Sequence, residues 1–386
     1  MYRGRELNLA KINNAKGRGP NIKQSDALIL MGACGGTCEF RGCGKPLISD
    51  KTTGDYLNFS NFAHIIASSP KGPRGNENSH SLANKPENFI ILCPEHHKLI
   101  DSPRKEEKFS AEDLISMRNE HREKVQRFRN SLKLPAATVL VFTGSFSNNI
   151  VVIDSQLAAS SIYPLFSSVG ETTRIEISSP EGMAISSSAF WKSVKNSLDR
   201  QFTARVLNVL EEKRPLAVFA LAPIPCLAYL GLKLGCGTNT RLFPIYRDHT
   251  LGWKSFSPTL TFKIKELKNN QADATNLLQA LLVEISGRVD RKKVLIEGLP
   301  PSMILSLQID SPEIDCVKSP EDLDNFSKKY IEVLDRFDNS KPIHIFAAVP
   351  QTIALEMGRQ LLSKHGEVVV MHCVNNEYVK GFSFSR

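Results

Sequence analysis

The sequence predicts an α/β protein: a small amino-terminal α+β unit, then a larger unit whose mainly parallel sheet carries helices on both faces. Three observations carry this. Residues 206–234 lie over residues 333–361 at a constant offset of 127, and each copy reads as strand, turn, helix and strand. Four of the eight cysteines and five of the nine histidines fall before Pro135, and among them Cys38/Cys43 and Cys93/His96 are short-spaced pairs. The chain has 386 residues, 41% hydrophobic and 23% charged, which is globular and too long for one ordinary core, so two or three domains are expected.

The chain opens on a basic arm, with Arg3, Arg5, Lys11, Lys16, Arg18 and Lys23 against Glu6. Before Pro135 there are 22 basic and 15 acidic residues, a balance of +7 out of the total of +9; the remainder holds 27 and 25. A basic arm on a small basic unit points to a polyanion, most often nucleic acid, or to a solvated tail, and charge alone leaves both open. Met1-Tyr2-Arg3-Gly4-Arg5 leads into polar sequence with no apolar leader, which predicts a cytoplasmic, reducing compartment. There, clustered cysteines favour metal over disulfides, while the scattered Cys226, Cys236, Cys316 and Cys373 read as small buried hydrophobes. The apolar stretch 216–234 is broken by Pro223, Pro225 and Lys233, so no membrane span or membrane partner is expected.

Cys38 and Cys43 sit on a glycine-rich turn, and Cys93 and His96 form a C-x2-H pair further on. Two short-spaced pairs joined by a long loop are what tetrahedral zinc needs; Cys34 can replace Cys38 at a longer spacing, and unrelated thiols are the alternative. A run with Leu57, Phe59 and Phe62 reads as a strand leading to His64, and Asn88 opens a second apolar run, 89–92. His97 and Asp101 stand four apart on a predicted helix, so they share a face and can reach one divalent ion. Phosphodiester hydrolysis needs a base for water and a cation for the charge that builds on phosphorus. His64 suits the base and His97 the metal, although each alone also reads as a core or surface histidine. In Gly72-Pro73-Arg74-Gly75, a glycine-flanked arginine suits a DNA phosphate or merely a tight turn. Residues 110–131 then read as a helix with Ser110 as N-cap and Asp113 in the capping-box position. Its Arg118, Arg122, Lys124, Arg127 and Arg129 lie along DNA or face water, and His121 is structural.

From Cys38 to Asp101 the chain resembles the HNH (ββα-metal) nucleases. The resemblance implies structural zinc on Cys38, Cys43, Cys93 and His96, with His96 in the place of a second cysteine. It implies His64 as general base, Asn88 as the central asparagine orienting the active-site loop, and His97 as a ligand of catalytic Mg²⁺ or another divalent cation. Many relatives carry a further ligand beside the base, where this chain has Ala63; Asp101 either compensates or faces solvent.

Leu134-Pro135-Ala136-Ala137 is a plausible linker. Beyond it the repeat pairs Val206/Val333, Leu207/Leu334, Pro215/Pro342, Phe219/Phe346, Ala220/Ala347, Pro223/Pro350, Gly231/Gly358 and Leu234/Leu361. Strands are expected at 216–221 and 343–348, then at 242–246 and 368–373. Ligands of open α/β sheets bind beyond the carboxyl ends of the strands, so helix N-termini near 223–225 and 350–352 suit one ligand with two or more phosphates. There is no G-x-G-x-x-G and no Walker motif, so neither a dinucleotide cofactor nor ATP is indicated.

Through Ala-Leu-Ala-Pro-Ile-Pro at 220–225, Tyr246-Arg247 with Trp253, and Phe346 to Pro350 with Gly358, this half resembles the SAVED domain, built from two CARF-like (Rossmann-like) halves. Expected bounds are 1–133 for the nuclease with its arm and 139–386 for the sensor, halved at about 139–265 and 266–386. The whole chain resembles the HNH–SAVED effector nucleases of cyclic-oligonucleotide-based antiphage signalling (CBASS). That implies a cyclic di- or trinucleotide from a partner synthase, contacts from Tyr246, Arg247 and Trp253, and turns shaped by Pro223 and Pro350. It also implies a ligand-promoted homo-oligomer, dimer to tetramer, that degrades double-stranded DNA with little sequence preference. The alternatives are a restriction-type HNH enzyme whose second unit reads DNA, and a zinc-structured DNA-binding regulator whose catalytic set has decayed, for which Ala63 speaks.

Overall fold

The computed structural model describes residues 22–49, 53–102, 108–146, 152–267 and 277–385; apart from Lys23, the basic arm lies outside them. The chain divides into two compact units, Met1–Lys133 and Leu134–Arg386.

The first unit runs α1 (Gln24–Ala33), β1 (Asn61–His64), α2 (Ser79–Leu82), β2 (Phe89–Leu92), α3 (Pro94–Ile100) and α4 (Ala111–Ser131). β1 and β2 pair antiparallel with Asn61 opposite Leu92 and His64 opposite Phe89. All four residues of β2 are buried, so this hairpin is the floor of the unit's core. α3 follows at once because Pro94 takes its first position, where the missing N–H costs nothing. α4 begins with the expected capping box: Ser110 and Asp113 exchange side-chain and backbone hydrogen bonds. The buried Glu39 carboxylate ties this helix to the hairpin, since it accepts from Arg122 Nε at 2.7 Å and from the Ile91 N–H at 2.6 Å. A buried carboxylate left without such partners costs about 3–5 kcal/mol.

The second unit opens with β3 (Ala136–Ser145), α5 (Ser155–Ser161), β4 (Ser167–Ser168), β5 (Thr173–Ser178), α6 (Ser188–Arg205), α7 (Leu207–Glu211), β6 (Leu216–Leu221), α8 (Ile224–Leu234) and β7 (Thr240–Phe243). It continues with β8 (Lys263–Leu267), β9 (Gln279–Glu284), β10 (Met303–Gln308), α9 (Pro320–Leu334), β11 (Ile343–Ala348), α10 (Gln351–Arg359), β12 (Val368–Val374) and β13 (Glu377–Phe384). Among the described residues the first sheet is ordered β4-β3-β6-β7 with β5 also on β3, and every pairing in it is parallel. The second is ordered β13-β12-β11-β9-β10-β8, parallel at its centre with antiparallel β13 and β8 at the edges.

The strands expected at 216–221 and 343–348 form with those bounds. β3 starts at Ala136, ahead of the expected 139. β8 crosses the expected division at 265–266 and pairs wholly within the second sheet. Lys263, Lys265 and Glu266 are exposed on this edge, charges that discourage another strand from pairing there. Asn375 and Asn376 both take positive φ (49° and 65°) between β12 and β13, the geometry of a tight hairpin turn whose twist matches its strands.

α8 is apolar nearly all round, and α10 is as deeply buried although it carries Glu356 and Arg359, which pair with each other at 2.8 Å. α8 of the first lobe packs on β12 and β13 of the second, and α10 packs on β6 and β7 of the first. Pro225 presses on Gly381, and the Tyr229 ring lies 5.2 Å from Phe382 and 5.8 Å from Phe384. One apolar cluster therefore runs through both lobes. The helices cross backbone on backbone. A Cβ on Gly231 would sit 1.9 Å from the Leu355 carbonyl oxygen, and one on Gly358 would sit 1.7 Å from that of Ala228. Gly231 and Gly358, like Ala228 and Leu355, are equivalent positions of the repeat, so the crossing is reciprocal.

In an isolated helix, Gly→Ala stabilises by about 1 kcal/mol. Gly358→Ala is expected to have the opposite sign here, a loss of about 1–3 kcal/mol or more from overpacking. Denaturant unfolding of the purified protein measures this. A midpoint at or above that of the parent would contradict the crossing.

Candidate functional site

The ligand atoms of Cys38, Cys43, Cys93 and His96 lie within 4.8 Å of one another. The first loop is closed by Cys38 N–H to Lys45 O (2.9 Å) and Cys43 N–H to Phe40 O (2.9 Å), with Gly42 and Gly44 at φ 79° and 56° making the turn. Cys93 and His96 stand at the entry of α3, with His96 Nδ1 3.1 Å from Cys93 Sγ and 3.8 Å from Cys38 Sγ. The Phe40 ring stacks on the imidazole at 4.0 Å, and the Cys93 N–H points at Cys38 Sγ from 3.3 Å. Burial pushes the Cys38 thiol up to about 12 and raises that of Cys93, so these sulfurs ionise only when a cation repays the cost. Three thiols and one imidazole converging at this spacing fit a tetrahedral, thiophilic ion. Cys34 is outside the set; its thiol donates to Met31 O at 3.3 Å.

Beside this cluster lie the other candidates. His64 Nε2 is 2.9 Å from Ala83 O, and its ring packs on Phe89. Asn88 is buried: its Oδ1 accepts from Ile66 N–H (2.8 Å), and its amide donates to Ile66 O (2.8 Å) and Leu82 O (3.2 Å). It thereby fastens both ends of the β1–β2 connection. His97 and Asp101 do share one face of α3, with Nε2 3.3 Å from Oδ2. Burial pushes the Asp101 carboxyl up, but hydrogen bonds and charge from His97 and Arg74 outweigh it and hold it below its ordinary value. Ala63 is wholly buried in the unit's core, so a side chain there points away from the face that carries His64.

Two expectations are corrected in this unit. Arg74 does not face outward for a DNA phosphate. Its side chain is 7% exposed, and its guanidinium donates to Ile65 O (2.7 Å), Ile100 O (2.8 Å), His64 O (3.3 Å) and Asp101 Oδ1 (2.8 Å). The flanking glycines serve the crowded loop itself: a Cβ on Gly75 would meet Ser69 O at 2.5 Å, and one on Gly72 would meet Ala67 Cβ at 2.6 Å. The basic row of α4 is also partly spent, with Arg118 on Glu87 O, Arg122 on Glu39 and Arg129 on Gly32 O; Lys124 and Arg127 are exposed. His121 is structural, bonded to Thr37 Oγ1 and Cys34 O.

In the second unit the ligand candidates scatter. Tyr246 is not available to a ligand: it is buried, its hydroxyl donates to Val317 O, and burial pushes it up to about 12. Trp253 is half-buried against the cluster that holds Phe243, 6.5 Å away, so part of its ring serves the core. Arg247 is exposed, with its backbone N–H on Asp315. Pro350 precedes α10, and Pro223 precedes α8. Pro223 also lines an open cavity of about 420 Å³ with Gly144, Ser145, Phe146, Ile185, Leu221, Ala222, His372, Cys373 and Val374. This is the carboxyl end of β3 and β6, closed on one side by the end of β12. Its walls are mostly apolar, and His372, 5.3 Å from the Trp191 ring, is pushed down to about 4 by burial and is neutral at pH 7. Sequence reasoning missed Phe146 and His372, although Thr143-Gly144-Ser145-Phe146 closes an apolar strand where ligands of this architecture bind. Leu216 pairs with Thr240 and Ile343 with Val368. Counting on from Thr240 and Val368 gives Tyr246 and Val374 as equivalents, so the cavity uses the other lobe's copy of the nominated position.

Residues 38–104 match the HNH endonuclease family. Residues 198–384 match the SMODS-associated and fused to various effectors sensor domain, SAVED. The chain joins an HNH endonuclease domain to a SAVED domain. Its architecture is also similar to the Acinetobacter baumannii Cap4 SAVED/CARF-domain containing receptor with the cyclic trinucleotide 2'3'3'-cAAA (15% identity, 80% of this chain, 67% of that chain, TM-score 0.43). The Moraxella osloensis Cap4 SAVED/CARF-domain containing receptor is a second neighbour (13% identity, 71% of this chain, 60% of that chain, TM-score 0.38). No curated protein matches the chain. Among the described residues, no helix is long and apolar enough to cross a membrane.

The HNH domain is therefore built around the cysteine–histidine cluster, with β1, β2 and α3 radiating from it. Purified protein is expected to carry one tightly held metal equivalent, and Cys93→Ser to lose most of it. Binding displaces thiol protons, so apparent affinity rises with pH. Metal analysis and competition with a chromophoric chelator at two pH values check both statements.

Proposed function

We propose that this chain is a nuclease effector of a CBASS antiphage system that hydrolyses double-stranded DNA when its SAVED domain binds a cyclic di- or trinucleotide. The arrangement of His64, Asn88 and His97 around one hairpin, joined to a domain with an apolar cavity at its strand ends, carries this reading. The bond from Nε2–H to Ala83 O orients the His64 imidazole, which takes a proton from the water that attacks phosphorus. Asn88 keeps the loop behind that histidine in place and does not itself touch DNA. His97 is the protein ligand for Mg²⁺ or a similar ion, and zinc fills the Cys38, Cys43, Cys93 and His96 cluster. The ion held at His97 supplies positive charge against the phosphate and the departing oxygen. Ala63, turned into the core, is no sign of a decayed site.

The second unit acts as two CARF-like halves. The cavity lined by Phe146 and neutral His372 suits a nucleobase, because among the described residues its lining is mostly apolar, holds no Lys or Arg and offers aromatic faces. Signal binding favours an oligomer that brings nuclease domains together, which requires different signal affinities in the two states.

Plasmid cleavage with Mg²⁺ or Mn²⁺ against a panel of defined cyclic di- and trinucleotides tests this. Cutting is expected only with one signal class. His64→Ala lowers the rate by about 10²- to 10⁴-fold, and Phe146→Ala raises the signal concentration for half-activation about tenfold or more. Equal cutting with and without every signal would remove the sensor half of the proposal. An unimpaired His64→Ala would remove the base.

A further inference from the structure

Arg74 is the residue on which the two histidines of the nuclease site meet. From one planar guanidinium it reaches the carbonyls of His64 and Ile65 at the end of β1, the carbonyl of Ile100 at the end of α3, and the carboxylate of Asp101. The other oxygen of Asp101 stands 3.3 Å from His97 Nε2, an ion-pair contact that faces this nitrogen with a carboxylate. The backbone of Arg74 is left-handed, φ 55°, a conformation costing about 1–2 kcal/mol for a residue with a Cβ. Such strain persists where surrounding bonds over-determine it. Here four acceptors on two elements do so, and only glycine fits at Gly72 and Gly75 to let the loop turn the side chain inward.

We infer that Arg74 and Asp101 are positioning residues. Asp101 holds the Nε2–H tautomer of His97 and leaves Nδ1 for the catalytic ion, and Arg74 fixes Asp101 relative to the strand that carries His64. This rests on the nuclease reading above and replaces the expectation that Asp101 is itself a ligand. A carboxylate that accepts from the far nitrogen of a ligating imidazole sets its orientation and raises its basicity. Lysine cannot substitute for Arg74, because an ammonium lacks the planar fork that spans carbonyls on two elements.

The test uses the full chain with its zinc in place, in parent form and as Asp101→Asn, Asp101→Ala and Arg74→Lys. Stoichiometric zinc and a cooperative melt certify that each variant folds; Asp101→Asn is the mildest change and keeps the test open should Arg74→Lys unfold. Nitrogen-15 spectra of the histidine side chains, with His97 assigned by loss of its signal in His97→Gln, read the tautomer before any Mn²⁺ is added. Mn²⁺ titration calorimetry then reads affinity. The parent is expected as a single Nε2–H form, Asp101→Ala and Arg74→Lys as mixed tautomers, and all three variants with Mn²⁺ affinity reduced about 10- to 100-fold. A His97 tautomer unchanged in Asp101→Ala overturns the inference, as does Mn²⁺ affinity in Asp101→Asn within about threefold of the parent. Failure of the nuclease reading looks different: parent protein that neither binds Mn²⁺ beyond its zinc nor cuts DNA with any signal.

Discussion

The second unit depends on two helices touching where most helices cannot. α8 and α10 lie enclosed between two sheets, and only the missing side chains of Gly231 and Gly358 let their backbones meet. Everything else in the unit follows from that approach. Because α8 sinks towards the second lobe, Pro225 and Tyr229 reach β13, and the two lobes share one large core beside the smaller cluster that each holds on its outer face. The same approach carries the end of β12 up to Pro223, and so builds the cavity from both lobes. A Cβ at either position would overlap backbone of the facing helix, so the contact that joins the lobes also holds together the walls of the cavity.

The repeat aligns the two glycines in sequence, while their contact is visible only in the structure. An offset of 127 residues relates Gly231 to Gly358, Ala228 to Leu355 and Leu232 to Arg359, and all six residues meet at the crossing. Strand bounds at 216–221 and 343–348 were readable because buried parallel strands are continuous apolar runs between turn signals. The cysteine–histidine cluster was readable because metal spacing is a local pattern. In contrast, Tyr246 looks like a ligand contact in sequence, an aromatic beside an arginine near a strand end, and packing alone decides that it serves the core. Phe146 and His372 are distant in sequence and meet only through tertiary structure, so no local pattern joins them.

Arg74 shows the same limit from the other side. Between two glycines, an arginine reads as a loop tip offered to a phosphate, and a phosphate would accept the same donors that His64, Ile65, Ile100 and Asp101 use. The chemistry was legible while the direction was not, because direction is set by the crowding around Gly72 and Gly75.

Net charge needs the same correction. The first unit holds +7, yet Arg41, Arg74, Arg118, Arg122 and Arg129 are engaged with carboxylates or carbonyls inside the unit. Five donors in a rigid fork suit arginine to tying loops through several acceptors. Lysine, a compact hydrated charge on a flexible stem, stays outside: Lys71, Lys85, Lys98, Lys108, Lys124 and Lys133 are all exposed. The described positive surface that this unit offers a polyanion is therefore carried by lysines and Arg127. Such charges bind a phosphate backbone without reading bases, which is the recognition that the proposed cutting with little sequence preference requires.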